Sequence, residues 1–550
     1  MNTRKHPLDQ LAKQVSIYKK KPFLFYKKNG QWKNYSWAEV QDKAQIIAGS
    51  LKKIGLKPKS KIAILSENSP EWIIIDLALM IGEYISVPIY PSANAKTVNY
   101  ILLNSNSQAI FIGKTNNNNA KSTLVEQKNI ITLGMPNESL KTDYSWYHIL
   151  NYGIHQTEYN KQNNNQPCTI IYTSGSSGAA KGVVHSMESL SWAAYSASKK
   201  TQLTDKDRFF AYLTFAHITE RIFIEFAGIY SGAQIYFNDH KQNIFKNTKY
   251  SKPTIFLATP RILQIIQRSL KEIKSIKILM YIIENNFFKK KITTLIQKKL
   301  GLHKVRILGC GTAPIEKSIL EWFEKINISI CEAWGMTENA AYSIINYPIN
   351  KDKIGSIGKP DSDCKCKINP HNNELLFKSP ALMLEYYNMK EATNSAFDKD
   401  GYLKTGDIAT KDQEDYFFIN GRLNENFKTA KGKFINPVNM EKIIRNKITM
   451  IDNLCVIGTG LRQPVLVGHH NEKNQDNISK EIYSNMTNIN QELESHERIY
   501  LVILDKQKWT TKNGLITPTL KIKRKEIEDH YKEIMSDNEE NTQSIKIVWI

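Results

Sequence analysis

The chain has no apolar run long enough to cross a bilayer without a charge in it. Its most apolar stretch, residues 72–90, is interrupted by Asp76 and Glu83, so it reads as a buried helix followed by a core strand. Cysteine is scarce as well, with six scattered along 550 residues. Only Cys364 and Cys366 are close, and a C-x-C pair without further cysteine or histidine ligands is weak ground for a metal. A disulfide framework is therefore excluded, and a reduced, cytoplasmic chain is expected. The first 21 residues are polar and lysine-rich and lack the charged, apolar and small-residue series of a secretory leader, so none is expected. Acidic residues are thin between Lys241 and Arg306, where sixteen Lys/Arg face only Glu272 and Glu284. The net charge of +22 invites a nucleic-acid partner. No recognised nucleic-acid module or aromatic-basic interleaving is present, however, and no such partner is expected. Lysine and asparagine are abundant throughout, so biased composition accounts for much of the charge. A one-sided basic face could still meet an acidic carrier protein, a phosphorylated cofactor or, reversibly, the inner face of an anionic membrane.

At this length, with 41% hydrophobic and 23% charged residues, two to four soluble domains are expected. The chain is organised around residues 169–184. There a β-prone run ends in Thr173-Ser174-Gly175-Ser176-Ser177-Gly178, followed by Lys181 and another β-prone pair. Glycines permit tight turns, hydroxyls donate hydrogen bonds and the lysine brings charge, a combination suited to polyphosphate. The order differs from the P-loop, because Ala180 and Gly182 flank Lys181.

Around this loop, strand and helix patterns alternate. A hairpin is expected at Asn29-Gly30, and Ser36 caps a helix with Glu39 at capping-box spacing. Strands are expected at 61–65, 84–90, 109–112, 208–214, 254–257, 305–309 and 328–331, with helices at 70–80, 98–103, 186–199 and from 315. Such alternation predicts a mostly parallel sheet covered by helices, with ligands at the strands' carboxyl ends. From Ile354 the texture shifts to short strands and turns, then to a small α+β unit ending in a basic helix from Lys523.

Several further motifs follow the loop in order: His217-x-x-Glu220-Arg221, Trp334-Gly335-Met336-Thr337-Glu338, Thr405-Gly406-Asp407, Gly421-Arg422 and Thr517-Pro518-Thr519-Leu520-Lys521-Ile522-Lys523-Arg524. This series, over about residues 30–530, resembles the AMP-forming adenylating superfamily and, within it, the long-chain fatty acyl-CoA synthetases. The resemblance implies a large α/β N-terminal domain of two covered sheets plus a small β-barrel (1–421). A hinge (422–426) and a small mobile α+β C-terminal domain (427–550) would follow. It implies that ATP, with Mg²⁺, activates a medium- or long-chain fatty acid to acyl-AMP and releases pyrophosphate, before transfer to coenzyme A. An acyl-acyl-carrier-protein synthetase and a non-catalytic nucleotide- or acyl-binding protein are the alternatives. Residues 262–300 are compact beside many long-chain relatives, which leaves tunnel depth open.

Carried onto matching positions, the resemblance puts the phosphates on Thr173, Ser174, Gly175, Ser176, Ser177, Gly178 and Lys181. Ala180 stands where the family usually has proline. Gly311, Thr312 and Ala313 would line adenine, and Trp334, usually tyrosine, would stack on it. Thr337 would contact the α-phosphate and Glu338 would hold Mg²⁺. Asp407 would take the ribose hydroxyls and Arg422 the ribose or phosphate. His217 would either shape the carboxylate site or be a packed histidine bridging Glu220 or a carbonyl. Lys521 would bridge the carboxylate and α-phosphate during adenylation, with Arg524 in support and Glu441 structural. Rotation at Asn424, where the family has aspartate or lysine, would then present Gly432 and Lys433 for thioester formation. Asn426, too, stands where an apolar residue is common.

Overall fold

The computed structural model describes residues 6–115, 130–136, 138, 140–157, 164–173, 180–272, 289–311, 315, 317–448, 450–470, 475–517, 521–538 and 544–550. Two compact units emerge. Among the described residues one takes 6–173, 180–365 and 378–403; the other takes 366–377 and 404–550.

The first unit contains two sheets. The larger has nine strands among the described residues, and its centre runs Ile330–Trp334, Ile307–Cys310, Ile255–Ala258, Arg208–Ala211, Gln234–Phe237, Pro22–Lys28. Those neighbours pair in parallel. On one face Phe210, Phe256, Leu308 and Ile330 pack under Leu263, Ile266, Ile292, Ile296, Ile319 and Phe323 from three covering helices. The second sheet has seven strands, with Pro167–Thr173, Ile85–Ile89, Lys61–Leu65, Ala109–Ile112 and Ile131–Gly134 parallel in that order.

Local signals place many of these elements. Asn29 (φ 51°) and Gly30 (φ 77°) form the hairpin turn, where two positive φ values match the twist of the flanking strands. Ser36 and Glu39 close the capping box at the start of the helix Trp37–Lys53. The run with Asp76 is the helix Pro70–Ile81, buried at every position except Met80. Among the described residues no helix is long and apolar enough to cross a membrane. A helix at Pro7–Tyr18 had no counterpart in the sequence reading, because its lysines mask an apolar stripe that buries Leu8 and Leu11.

In the second unit a four-stranded sheet joins Lys365–Ile368, Glu374–Lys378, Leu403–Lys411 and Phe417–Arg422, in the region expected to be a small barrel. The sheet Asn453–Ile457, Val465–His469, Leu501–Asp505, Lys546–Trp549 follows. Its strands alternate: Leu454, Val456, Leu466, Val502 and Leu504 face one core, while Cys455, Ile457, Val465, Val467 and Ile503 face the other. The expected basic terminal helix is two short ones, Arg524–His530 and Lys532–Asp537, and the chain then closes on a final strand.

Candidate active site

Strands Pro167–Thr173 and Lys181–Ser186 form an antiparallel hairpin with Thr173 opposite Lys181 at its mouth. The loop between them, with Ser174, Gly175, Ser176, Ser177 and Gly178, lies outside the described residues. Lys181 is half-buried, and its Nζ stands 4.8 Å from the centre of the Tyr386 ring. The Tyr386 hydroxyl donates to Glu338 Oε1 at 2.8 Å. Burial, and secondarily the Glu338 charge, raise the Tyr386 pKa, so the phenol remains a donor. Met383 N–H anchors the Glu338 carbonyl at 2.8 Å. Lysine, phenol and carboxylate thus converge from three separate parts of the sequence.

Thr337 opens the 3-10 turn Thr337–Asn339. Its carbonyl accepts from His185 Nε2 at 2.6 Å, which places the imidazole proton on that nitrogen because a carbonyl can only accept. His185 is wholly buried, and desolvation holds its pKa down at about 4, so the ring is neutral. Glu338 is nine-tenths buried, and among the described residues no lysine or arginine pairs with it. A single hard carboxylate in that state fits Mg²⁺, which takes few protein ligands beside nucleotide phosphates.

A cavity of about 80 Å³ lies against the face of the large sheet opposite the helix-covered core. Its wall follows from the period of two. In-register residues Leu257, Gly309 and Cys331 share a level, Phe209, Ile255 and Ile307 the level below, and Thr259, Gly311 and Ala333 the level above. Ala197, Leu203 and Phe223 close the other side. Trp334, Gly311 and Gly335 sit at the strand exits. Thr312 and Ala313 lie outside the described residues. At Gly335 a Cβ would come within 2.3 Å of the Ala341 carbonyl oxygen, so glycine permits the backbones to meet. Glu332, unassigned by motif, accepts from Gly355 N–H at 2.8 Å.

His217 Nδ1 accepts from Thr219 N–H at 3.2 Å and caps the short helix Ile218–Glu220, while its ring meets Tyr90 edge-on at 6.5 Å. Buried Glu220 accepts from Tyr212 N–H at 3.1 Å, and desolvation raises its pKa.

In the second unit, Asp407 and Arg422 are cross-strand partners, with Arg422 Nε 2.7 Å from Asp407 Oδ1. The carboxylate is buried and the guanidinium half-exposed, an orientation that presents a fixed acceptor beside a positive charge. Asn424 lies in the 3-10 turn Leu423–Glu425. Gly432 (φ 72°) and exposed Lys433 turn the hairpin Phe427–Lys428/Phe434–Ile435, where Lys433 N–H donates to Thr429 Oγ1 at 3.2 Å. Exposed Lys521 is held by its backbone, which donates to Thr517 Oγ1 at 3.0 Å and accepts from Thr517 N–H at 2.8 Å. Arg524 pairs with Glu441 at 2.5 Å and Glu425 at 3.7 Å. Although burial acts against its charge, these acids keep it protonated. Glu441 also accepts from Val456 N–H at 2.8 Å, a structural placement.

Tyr386 and His185 were missed from sequence. His185 carried one faint signal, a polar ring directly after the apolar pair Val183-Val184. Tyr386 carried none.

A family model described as AMP-binding enzyme matches residues 11–387, and one described as AMP-binding enzyme C-terminal domain matches residues 426–541. Similar curated proteins include the long-chain-fatty-acid–CoA ligase ACSBG2 of Gallus gallus, 27% identical over 492 residues. That match covers 81% of this chain and 64% of the relative, so the chain spans somewhat under two thirds of the relative's length. The peroxisomal long chain acyl-CoA synthetase 7 of Arabidopsis thaliana is 25% identical over 603 residues, covering 96% of this chain and 85% of the relative. Among solved structures, o-succinylbenzoate coenzyme A synthetase of Bacillus subtilis, in complex with ATP and magnesium ion, superposes with a TM-score of 0.73 at 17% identity. It covers 94% of this chain and 98% of that one, a likeness of fold. With the motif series in order and the two family models spanning both units, the chain belongs to the AMP-binding enzyme family.

Proposed function

We propose that this chain activates a medium- or long-chain fatty acid with ATP and passes the acyl group to coenzyme A. The observation that carries the reading is the apolar cavity lined by Gly311, Trp334 and Gly335, the last two directly preceding Met336, Thr337 and Glu338 in sequence. The similar proteins named long-chain fatty acid–CoA ligases support the same substrate and acceptor. They favour coenzyme A over a carrier protein, and an enzyme over a non-catalytic binder.

In the first step a carboxylate oxygen attacks the α-phosphorus, and the bond to pyrophosphate breaks. Two anions meet there, so oriented donors and positive charge must face the developing charge. Lys181, Thr173 and the intervening loop serve the phosphates, Thr337 the α-phosphate, and Lys521 the junction of carboxylate and phosphate. Bound Mg²⁺ would neutralise phosphate charge, with Glu338 as its protein ligand. Asp407 and Arg422 hold the ribose. In the second step the thiol sulfur attacks the acyl carbon, AMP leaves and the thiol proton passes to solvent. Before that second step, rotation at 422–426 exchanges Lys521 for the Gly432–Lys433 turn. No general base is needed at the start, since the acid is already ionised near neutral pH, and His217 has a positioning role.

An acid-dependent ATP–pyrophosphate exchange panel tests this, repeated as product formation with coenzyme A and with carrier protein. Fatty acids should exceed acetate, amino acids and aromatic acids. The reverse order would overturn the proposal.

A further inference from the structure

The helix Pro70–Ile81 carries Asp76 in the middle of its apolar run, and that acid has a partner 145 residues away. Arg221 Nη2 lies 2.6 Å from Asp76 Oδ2, with both side chains 1% exposed. Glu225, wholly buried, stands 3.9 Å from Arg221 Nε, and desolvation with the Asp76 charge raises its pKa, so it holds a proton. Arg221 opens a π-helical turn, Arg221–Phe226, a rare geometry that recurs at functional sites. This cluster is poorly arranged for stability alone. Arg221 Nε is buried without a hydrogen-bond partner and Glu225 sits protonated beside Asp76, and well-packed apolar residues often replace such groups without loss.

What the cluster does is hold a strand. Arg221 Nη1 donates to Thr169 Oγ1 at 2.9 Å, and Thr169 Oγ1 donates onward to the Ser86 carbonyl at 3.0 Å. Thr169 stands four residues before Thr173 on the strand that leads into the phosphate loop. Its register partner on the returning strand is His185, four residues after Lys181. From there the His185 imidazole reaches the Thr337 carbonyl, with Nδ1 steadied 3.1 Å from Ser189 Oγ. An unbroken path of buried polar contacts and strand pairing therefore runs from Arg221 to the turn that carries Glu338.

We propose that His185, braced through Thr169 by the Arg221–Asp76 pair, is a positioning residue for adenylation: its Nε2–H sets the Thr337–Glu338 turn at a fixed distance from the phosphate hairpin. This rests on the reading of Glu338 as the Mg²⁺ ligand and of the hairpin as the phosphate site. His185 touches no reacting atom. Its effect is confined to the half-reaction that uses metal and polyphosphate.

The test compares His185→Leu, which removes the N–H, with His185→Gln, whose amide can donate to the same carbonyl. ATP–pyrophosphate exchange is measured across a Mg²⁺ titration with a fatty acid the wild-type chain uses. Thioester formation from supplied acyl-adenylate and coenzyme A is followed separately. The leucine variant should lose about tenfold or more in exchange, the scale of one displaced donor, and require severalfold more Mg²⁺ for half-maximal rate. Thioester formation should stay within about twofold of wild type. The glutamine variant should recover most of the exchange. Ser189→Ala, which releases only the Nδ1 side, should shift the Mg²⁺ requirement in the same direction and keeps the test informative should the leucine variant fail to fold. Equal losses in both half-reactions, an unchanged Mg²⁺ titration in all three variants, or a glutamine variant no better than leucine would overturn the proposal. A wild-type chain that exchanges with no acid at all would instead remove the reading on which it rests, and the proposal with it.

Discussion

Gly309 offers the sharpest perturbation of the acyl cavity. It sits midway along the wall strand, with Ile307 one level below and Gly311 at the exit. Ile307 to Gly311 is four residues, or about 13 Å at roughly 3.3 Å per residue. An extended chain advances roughly 1.2 Å per bond, since a backbone residue of three bonds spans about 3.6 Å. The wall is therefore as long as a tail of about eleven bonds, and the cavity of about 80 Å³ must widen by side-chain movement to admit one. Each buried CH₂ contributes about 0.8 kcal/mol, close to fourfold in kcat/KM, so the wild-type profile should climb steadily and level near ten to twelve carbons, about the length of the wall. A Cβ at Gly309 would meet Leu257 Cδ2 at 2.9 Å, the far end of a flexible side chain that can yield. Gly309→Val should thus fold and block the lower half of the cavity. About five CH₂ groups lose their burial, roughly 4 kcal/mol, so laurate should fall by up to about a thousandfold while hexanoate changes little. Pyrophosphate exchange at subsaturating acid, run from butyrate to stearate on both proteins, measures the shift. An unchanged length profile in the variant would refute the placement of the tail along this strand.

Lys521→Ala should depress pyrophosphate exchange by about a hundredfold while sparing thioester formation from supplied acyl-adenylate, and Lys433→Ala should show the opposite bias; equal effects on both halves would remove the two-conformation mechanism. Asp76→Ala removes the close ionised partner of buried Arg221 and leaves only Glu225, 3.9 Å away, to take up the charge, so it should cost up to about 3–5 kcal/mol by denaturant titration, whereas the double change Asp76→Leu with Arg221→Met should cost less, the difference being the penalty of the weakened pairing. His185 has a folded pKa of about 4 against 6.5 for the free side chain, so its unfolded form binds a proton that the native form refuses. Its penalty is absent above about pH 6.5 and grows to about 3 kcal/mol as pH falls toward 4; His185→Gln should flatten that part of the stability profile. Exposed Lys298, Lys299 and Lys304 follow the exposed Leu295 closely in sequence, and Lys304, exposed Lys252 and Lys298 depress His303 after desolvation has done so. Co-sedimentation should accordingly show salt-sensitive binding to anionic vesicles over neutral ones, and equal binding to both would count against a membrane role for that charge.

Much of the scaffold was legible because its signals are local. Strands 61–65 and 109–112, the Asn29-Gly30 turn and the Ser36–Glu39 capping box each depend on residues within a few positions of one another, where periodicity and backbone preference act without help from the fold. The ordered motifs likewise identified the family, because each is a short backbone device tied to one piece of chemistry. Elements whose patterns were short or masked by lysine, such as Pro7–Tyr18 and the final strand Lys546–Trp549, gained their identity from partners: the first from the core it covers, the second from parallel pairing with Leu501–Asp505. The candidate site divides along the same line. Lys181, Glu338, Asp407 and Lys521 could be named from motif, but the Tyr386 bridge between Lys181 and Glu338 could not, since it joins residues up to 205 positions apart in the chain. Nor could the cavity, whose wall is made of alternate residues from four strands in register. A sequence sets which side chains alternate along each strand. Only the pairing of distant strands decides which of them come to share a level, and that pairing is fixed by the packing of the whole sheet.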